Sequence, residues 1–342
     1  MTEQRETHIR GFLAGAGWQD ARRANLAGDA SNRRYERLSQ GPDDGQAVLM
    51  DASPEKGENI RPFIAIARYL KSLGLSSPRV LHADEREGLA LLEDLGDDLF
   101  AHVLEEVPDL ETELYLAATD VLLRLHEAPP PAAADYGPAT MIPLAGLAHD
   151  WYGYGATGRR NEAAKAAMLA TLGEAFQNLK PWKPVLVLRD YHAENLFWLP
   201  ERKGVARVGL IDFQDAGIGH PAYDLVSLAR DVRRDVQVET QERMIRHYCS
   251  ATRQDVDAFR QAAALMSVQR NLRILGVFAR LSMHFGKPQY VDLIPRTWAI
   301  LMEDLAHPAL EPLRKRICDD LPHPNPQILA ELKAKCGTIP RL

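Results

Sequence analysis

Short runs of alternating apolar and polar residues dominate the N-terminal part of the chain. "ARRANL", "RRYERL", "QAVLMDA", "PRVLHAD" and "GLALLED" each read as a strand, and Gly, Pro and Asp turn signals separate them. Two stretches follow another period. Ile9, Phe12 and Leu13 stand at helical spacing within residues 3 to 16, and "ENIRPFIAIARYLKSL", residues 58 to 73, repeats apolar residues at steps of three and four. This order predicts a small sheet with one main helix packed on it.

After "LLEDLGDD" the helical period takes over. "ETELYLAATDVLLRLHEA" and most of residues 220 to 320 carry apolar residues at three- and four-residue steps. The proline-rich segment "APPPAAADYGPATMIP", 128 to 143, reads as a surface loop between helices. The natural boundary falls between Glu93 and Asp97, giving a sheet-rich lobe, 1–94, and a mainly helical lobe, 95–342. The fold class is therefore α/β in content and α+β in arrangement, and the default ligand site is the cleft between such lobes.

Within the helical half one loop stands out. In "VLRDYHAENLFWL" the run "KPVLVL" enters as a buried strand, "RDYHAEN" turns, and "LFWLP" leaves as a second strand. Asp190 and Asn195 therefore sit on a loop anchored at both ends, the usual setting for chemistry. Downstream, the strand "VGLI" delivers Asp212 in "IDFQD". A hard dication such as Mg2+ takes one or two carboxylate or amide oxygens from protein and completes its shell with phosphates and water, and Asn195 and Asp212 supply that set. Asp190 then stands ready to accept a hydroxyl proton, the one proton-handling role that phosphoryl transfer needs.

Composition narrows the partners. The 342 residues are 46% hydrophobic and 26% charged with a formal net charge of −6, so no basic excess points to nucleic acid. Three scattered cysteines, Cys249, Cys318 and Cys336, make neither a disulfide framework nor a zinc site and suit a reducing cytoplasm. The polar N-terminus "MTEQRETHIRGFLAGAG" does not read as a signal peptide, and no run reaches the roughly 18 apolar residues a membrane span requires. Nothing in the sequence indicates a protein partner.

The D-x-x-x-x-N loop followed by I-D-F resembles the aminoglycoside phosphotransferase-like kinases, whose loop usually reads H-G-D-x-x-x-x-N. Asp190, Asn195 and Asp212 match residue for residue, whereas Leu188 stands where the family often has His. The resemblance implies a two-lobed protein-kinase-like fold with ATP and Mg2+ as cofactors, Asp190 as catalytic base, and Asn195 and Asp212 on the metal. In "GHPAYDLVSLARD", Asp224 would brace the catalytic loop by accepting backbone hydrogen bonds. "LAGDASNRRYERL" sits where the family covers the phosphates, implicating Gly28, Asp29, Ala30, Ser31, Asn32 and Arg33, with the amides of Gly28 to Ser31 as an anion nest. "LLEDLGDD" sits at the adenine hinge, implicating Glu93 and Leu95.

One departure matters. The strand "QAVLMDA" should carry the lysine that pairs with the nucleotide phosphates, yet it offers Met50 and Asp51. Glu58 has no partner of the usual kind, and Arg33, Arg34 and Arg61 are the candidates to neutralise phosphate.

A narrower likeness lies in "QRNLRILGVFARLSMHFGKPQYVDLIPRTWAIL", together with "GDASNRRYERL" and "LLLEDLGD". These segments are similar to the anomeric amino-sugar kinases that phosphorylate the 1-hydroxyl of N-acetylmuramate and N-acetylglucosamine in peptidoglycan recycling. Arg270 and Arg273 are then candidates to grip a lactyl carboxylate, against the plainer reading of an ion-paired helix face. Asp215 is a candidate second metal or sugar contact, and Tyr152, within the cluster His149 to Tyr152, a ring to stack on a sugar face. His192 reads as a loop hydrogen-bonding residue beside the substrate and Glu194 as a solvated charge. An aminoglycoside or other small-molecule hydroxyl kinase, and a nucleotide-binding module without transferase activity, stand as the alternatives.

Overall fold

The computed structural model describes residues 3–26 and 32–340, arranged as two compact units. The first unit comprises Met1–Asp109 and Ala193–Ala216, and the second Leu110–His192 and Gly217–Leu342. Segments 95–109 and 193–216 thus pack with the sheet, whereas the sequence boundary at residue 94 assigned them to the helical lobe. Gly28, Asp29, Ala30 and Ser31 lie outside the described residues.

The first unit holds the predicted sheet. Strands β1 (Arg22–Leu26), β2 (Arg34–Ser39), β3 (Ala47–Asp51), β4 (Val80–Asp84) and β5 (Leu89–Glu93) pair in the order β1-β2-β3-β5-β4. All four pairings are antiparallel. Side chains alternate between the two faces, so the register decides what each face carries. Leu38 opposes Ala47, Glu36 opposes Leu49 and Arg34 opposes Asp51 on one face. Helix α1 (Glu3–Gly15) packs there, joining Ile9, Phe12 and Leu13 to Leu38, Ala47, Leu49, Leu89 and Leu91.

Ion pairs rim the same face: Arg5 reaches Asp51 at 2.6 Å, and Arg23 bridges Glu6 and Glu36, each at 2.6 Å. Tyr35 and Arg37 oppose Met50 and Val48 on the other face. Helix α2 spans Arg61–Ser72 and begins later than its apolar pattern suggests, because Pro62 favours the first turn and Asn59 Oδ1 accepts the amide of Arg61. Glu58 therefore precedes α2.

The second unit is helical around a three-stranded sheet in which Gly217–Gly219 lies parallel to Ala134–Asp135 and antiparallel to Val185–Val187. The proline-rich segment differs from its reading as a loop. Pro138–Ala145 is helical, with Pro138 in the first turn, where no backbone N–H is required, and Pro143 inside at the loss of one ladder bond. The long helix Val256–Met283 runs through the unit and buries 17 of its side chains or glycines, Leu265, Met266, Leu272 and Leu275 among them.

At Gly276 this helix meets the backbone of Leu147 so closely that a Cβ would stand 2.2 Å from its carbonyl carbon and oxygen. Gly276→Ala is expected to lower stability by about 1–3 kcal/mol, the cost of overpacking against backbone that cannot give way. Urea denaturation measures it; a midpoint equal to wild type would mean that the two segments separate freely.

Candidate active site

Three residues singled out by the loop pattern fall on two elements whose local geometry can be read directly. Strands Leu196–Trp198 and Val208–Leu210 form an antiparallel hairpin with Leu196 opposite Leu210. That register leaves Asn195 and the Ile211–Asp212 pair side by side at its open end, where the Ile211 amide donates to the Asn195 carbonyl at 3.2 Å. Asn195 Nδ2 stands 3.5 Å from Asp212 Oδ2, and Gln214 Nε2 donates to Asp212 Oδ1 at 2.8 Å. Asp212 has φ +58°, a left-handed conformation that Asp adopts more readily than most residues and that turns the chain sharply after the strand. Phe213 stacks on Phe63 of α2 with ring centroids 5.0 Å apart, tying this turn to the sheet-bearing unit.

These donors fit a magnesium ion. A carboxylate and an amide oxygen are the hard ligands it takes, and its remaining positions belong to phosphate and water. Among the described residues no cluster of three or more His, Cys, Asp or Glu could hold a metal by itself, so a nitrogen- or sulfur-rich centre has no counterpart here.

In the second unit the strand Val185–Val187 runs into the turn that carries Asp190. The turn is pinned from below by Asp224, wholly buried in the helix Ala222–Ala229. Its carboxylate accepts the amides of Leu188 at 2.6 Å and Arg189 at 2.9 Å. Arg189 has φ +74°, and its guanidinium lies 4.5 Å over the Tyr136 ring. Tyr136 in turn meets Tyr223 hydroxyl to hydroxyl at 3.0 Å and Arg273 Nη1 at 3.5 Å. Burial disfavours the charge of Arg273, but Tyr223, Tyr136 and then the Asp190 carboxylate outweigh it and raise the Arg273 pKa.

Arg270 is 4% exposed and exerts its charge on Asp224, His192 and Tyr223, so it lies beneath the loop. His192 is buried, and desolvation, with Arg233 and Arg270 nearby, holds its imidazole well below the usual value and neutral. Asp190 belongs to this unit and Asn195 and Asp212 to the other, with the chain passing between units after His192.

Tyr152 requires correction as a sugar-stacking ring. It is fully buried and its hydroxyl donates to the Pro322 carbonyl at 2.6 Å, so no face remains open. Its ring packs beside Trp298, centroids 6.1 Å apart, in the core, where a Tyr needs a buried acceptor for its hydroxyl. Asp215 and Glu194 are exposed. Glu93 holds Arg202 at 3.0 Å and Arg79 at 3.3 Å, its amide donates to the Arg79 carbonyl at 2.8 Å, and Leu95 is buried. Asn32 is exposed and Arg33 half-buried, with Glu58 as partner at 2.9 Å. Sequence reasoning missed Tyr35 and Tyr136. Strand alternation could have found Tyr35, two residues beyond Arg33; nothing local marks Tyr136, which arrives from a distant segment.

Burial raises Asp224 to about 7, against the pull of the Leu188 and Arg189 amides and Arg270 and with a further push from Asp190. A carboxyl whose folded pKa exceeds its unfolded value near 3.8 contributes stability that is complete below that value and is lost as pH rises through about 7. The buried His126 and His220, held down to about 3 and about 4, act in the opposite sense. The difference between wild type and Asp224→Asn isolates the carboxyl: the wild-type melting temperature is expected to fall relative to the variant from pH 5 to 8. Parallel pH profiles would remove the assignment.

Residues 23–262 match the model of the phosphotransferase enzyme family. A Caulobacter vibrioides protein named N-acetylmuramate/N-acetylglucosamine kinase is 40% identical, over 92% of this chain and 96% of its own length. A Pseudomonas aeruginosa protein of the same name is 32% identical over 83% of this chain and 85% of its own. Among solved structures, a choline/ethanolamine kinase family protein from Mesorhizobium loti superposes with a TM-score of 0.62 over 96% of this chain and 99% of that one, at 15% identity, a likeness of fold.

Proposed function

Because this chain belongs to the phosphotransferase enzyme family, we propose that it transfers the γ-phosphate of ATP to the anomeric 1-hydroxyl of N-acetylmuramate and N-acetylglucosamine. The observation that carries the substrate is the 40% identity to the Caulobacter relative along nearly the whole of both chains. The bond from the γ-phosphorus to the β–γ bridging oxygen breaks, a bond to the sugar O1 forms, and ADP leaves with a sugar 1-phosphate as product. Bound magnesium supplies charge neutralisation on the phosphates. Asn195 and Asp212 hold it, and Asp190 takes the proton of the 1-hydroxyl and releases it to solvent.

Positioning does most of the work in such a transfer. The Asp224 clamp on the Leu188 and Arg189 amides supports this role, since it fixes the backbone immediately before Asp190. Arg273 and Arg189, gathered on Tyr136, suit an anionic substituent such as a lactyl carboxylate better than a polycationic aminoglycoside. The sheet-bearing unit, Met1–Asp109 with Ala193–Ala216, is assigned to nucleotide and magnesium, and the helical unit, Leu110–His192 with Gly217–Leu342, to the base Asp190 and the sugar. No helix among the described residues is long and apolar enough to cross a membrane, and the cytoplasm supplies the ATP this reading requires.

The test is magnesium-dependent transfer from ATP to the two amino sugars and an aminoglycoside panel, with phosphorus NMR locating the new ester. An amino-sugar 1-phosphate supports the reading. Ester at another hydroxyl, or on the aminoglycosides alone, replaces it.

A further inference from the structure

The strand expected to carry the phosphate-pairing lysine holds none, and the cations of the first unit divide between the two faces of its sheet. The β2–β3 register separates the two residues at issue. Asp51 opposes Arg34 on the face covered by α1, where Arg5 pairs with it at 2.6 Å, so Asp51 braces the sheet. Met50 opposes Tyr35 on the other face and is wholly buried. A lysine there would extend over that second face.

Arg33 directly precedes the neighbouring strand β2. It lies two residues before Tyr35, and alternation along an extended chain returns it to Tyr35's side of the sheet. Its side chain is 11% exposed, its Nε donates to Glu58 at 2.9 Å, and it hydrogen-bonds Tyr35. Tyr35 feels the charges of Arg33, Glu58 and Asp212 together, which gathers the guanidinium and the metal-binding carboxylate around one phenol within one unit. Glu58 stands just before α2, and Phe63 on that helix stacks on Phe213, the residue after Asp212.

The competing cations are committed elsewhere. Arg34 lies on the α1 face with Glu36 at 3.1 Å, Arg37 is held by Asp94 and Asp97, each at 2.7 Å, and Arg61 is 69% exposed beside Glu85. Lys56, Lys71 and Lys203, the lysines of this unit, are exposed.

We propose that Arg33, held by Glu58 on the same face of the sheet as Met50, binds the triphosphate of the nucleotide in place of a lysine on β3. A guanidinium presents five N–H donors in a planar fork, so it can serve a carboxylate, a phenol and a phosphate at once, which an ammonium on Met50's strand could do only as a point charge. The inference rests on the reading of the chain as an ATP-dependent kinase and adds the residue that neutralises its phosphates.

Calorimetric binding of adenosine, ADP and ATP to wild type, Arg33→Gln, Glu58→Gln and Arg61→Gln tests it. Adenosine affinity reports an intact fold and base site. For Arg33→Gln, ATP and ADP affinity is expected to fall by about ten- to a hundredfold, as for loss of a charge-assisted phosphate contact, with adenosine unchanged. Glu58→Gln lowers it less, and Arg61→Gln leaves it alone.

Introducing Met50→Lys into Arg33→Gln is expected to restore part of the ATP affinity, since it returns a cation to the same face. Equal ATP affinity in Arg33→Gln and wild type, or the loss appearing in Arg61→Gln instead, overturns the assignment. If wild type itself binds no ATP, the kinase reading falls and the inference with it, an outcome distinct from intact wild-type binding that Arg33→Gln fails to change.

Discussion

Asp190→Ala lowers phosphate transfer by about two to four orders of magnitude while leaving melting temperature and ADP affinity close to wild type, the range general-base removal gives in positioned active sites. The expectation follows from where the residue sits. The turn is fixed by backbone bonds from Leu188 and Arg189 to the buried Asp224, and these do not involve the Asp190 side chain. Removing that carboxylate therefore takes away a proton acceptor without loosening the loop. Arg273, which feels the charge of Asp190, loses a favourable neighbour; as a candidate sugar contact, its own replacement is expected to alter sugar KM more than kcat. Turnover of Asp190→Ala within a factor of ten of wild type would show that proton removal does not depend on this residue.

Asp212 is expected to have the second large effect, for a different reason. Its carboxylate is one of two oxygen donors gathered at the open end of the hairpin, and the amide of Asn195, 3.5 Å away, cannot replace its charge. Asp212→Asn should reduce transfer by about three orders of magnitude, in line with the several kcal/mol a correctly held metal contributes. It should also flatten the magnesium dependence of ADP binding. Asn is the better probe than Ala because it tolerates the left-handed conformation at φ +58°, which keeps the Gln214 contact and the turn. Unchanged magnesium dependence in Asp212→Asn would move the metal site elsewhere.

Asp190 and Asp224 act on one another through the loop, so their effects are expected to be coupled. Asp190 pushes the Asp224 carboxyl upward in pKa, and loss of that push favours ionised Asp224. The double variant should therefore differ in its pH profile of stability from the sum of the single ones. Arg270, buried beneath the same loop, belongs to this support more than to open sugar recognition.

The sequence alone determined the elements and the chemistry local to them. Five short strands, the helix before β4 and the helical remainder follow from periods of two and of three to four, because side-chain direction repeats with backbone geometry whatever the fold. Asp190, Asn195 and Asp212 were legible for a related reason: Asp190 and Asp212 closely follow strands and Asn195 directly precedes one, and loop chemistry set on rigid flanks leaves a compact spacing in the chain.

Only tertiary structure decided the rest. Whether Asp51 or Met50 faces the second side of the sheet depends on register, and a shift of one residue would exchange them. Glu58 found Arg33, 25 residues away, through folding of segments whose sequence neighbourhoods carry no mark of the pairing. Tyr152 illustrates the converse. Its polar-aromatic cluster promised a binding ring, but Pro322, 170 residues away, supplies the carbonyl that makes it core. Periodicity is written in neighbours along the chain, whereas burial and charge pairing are set by which distant segments share a face.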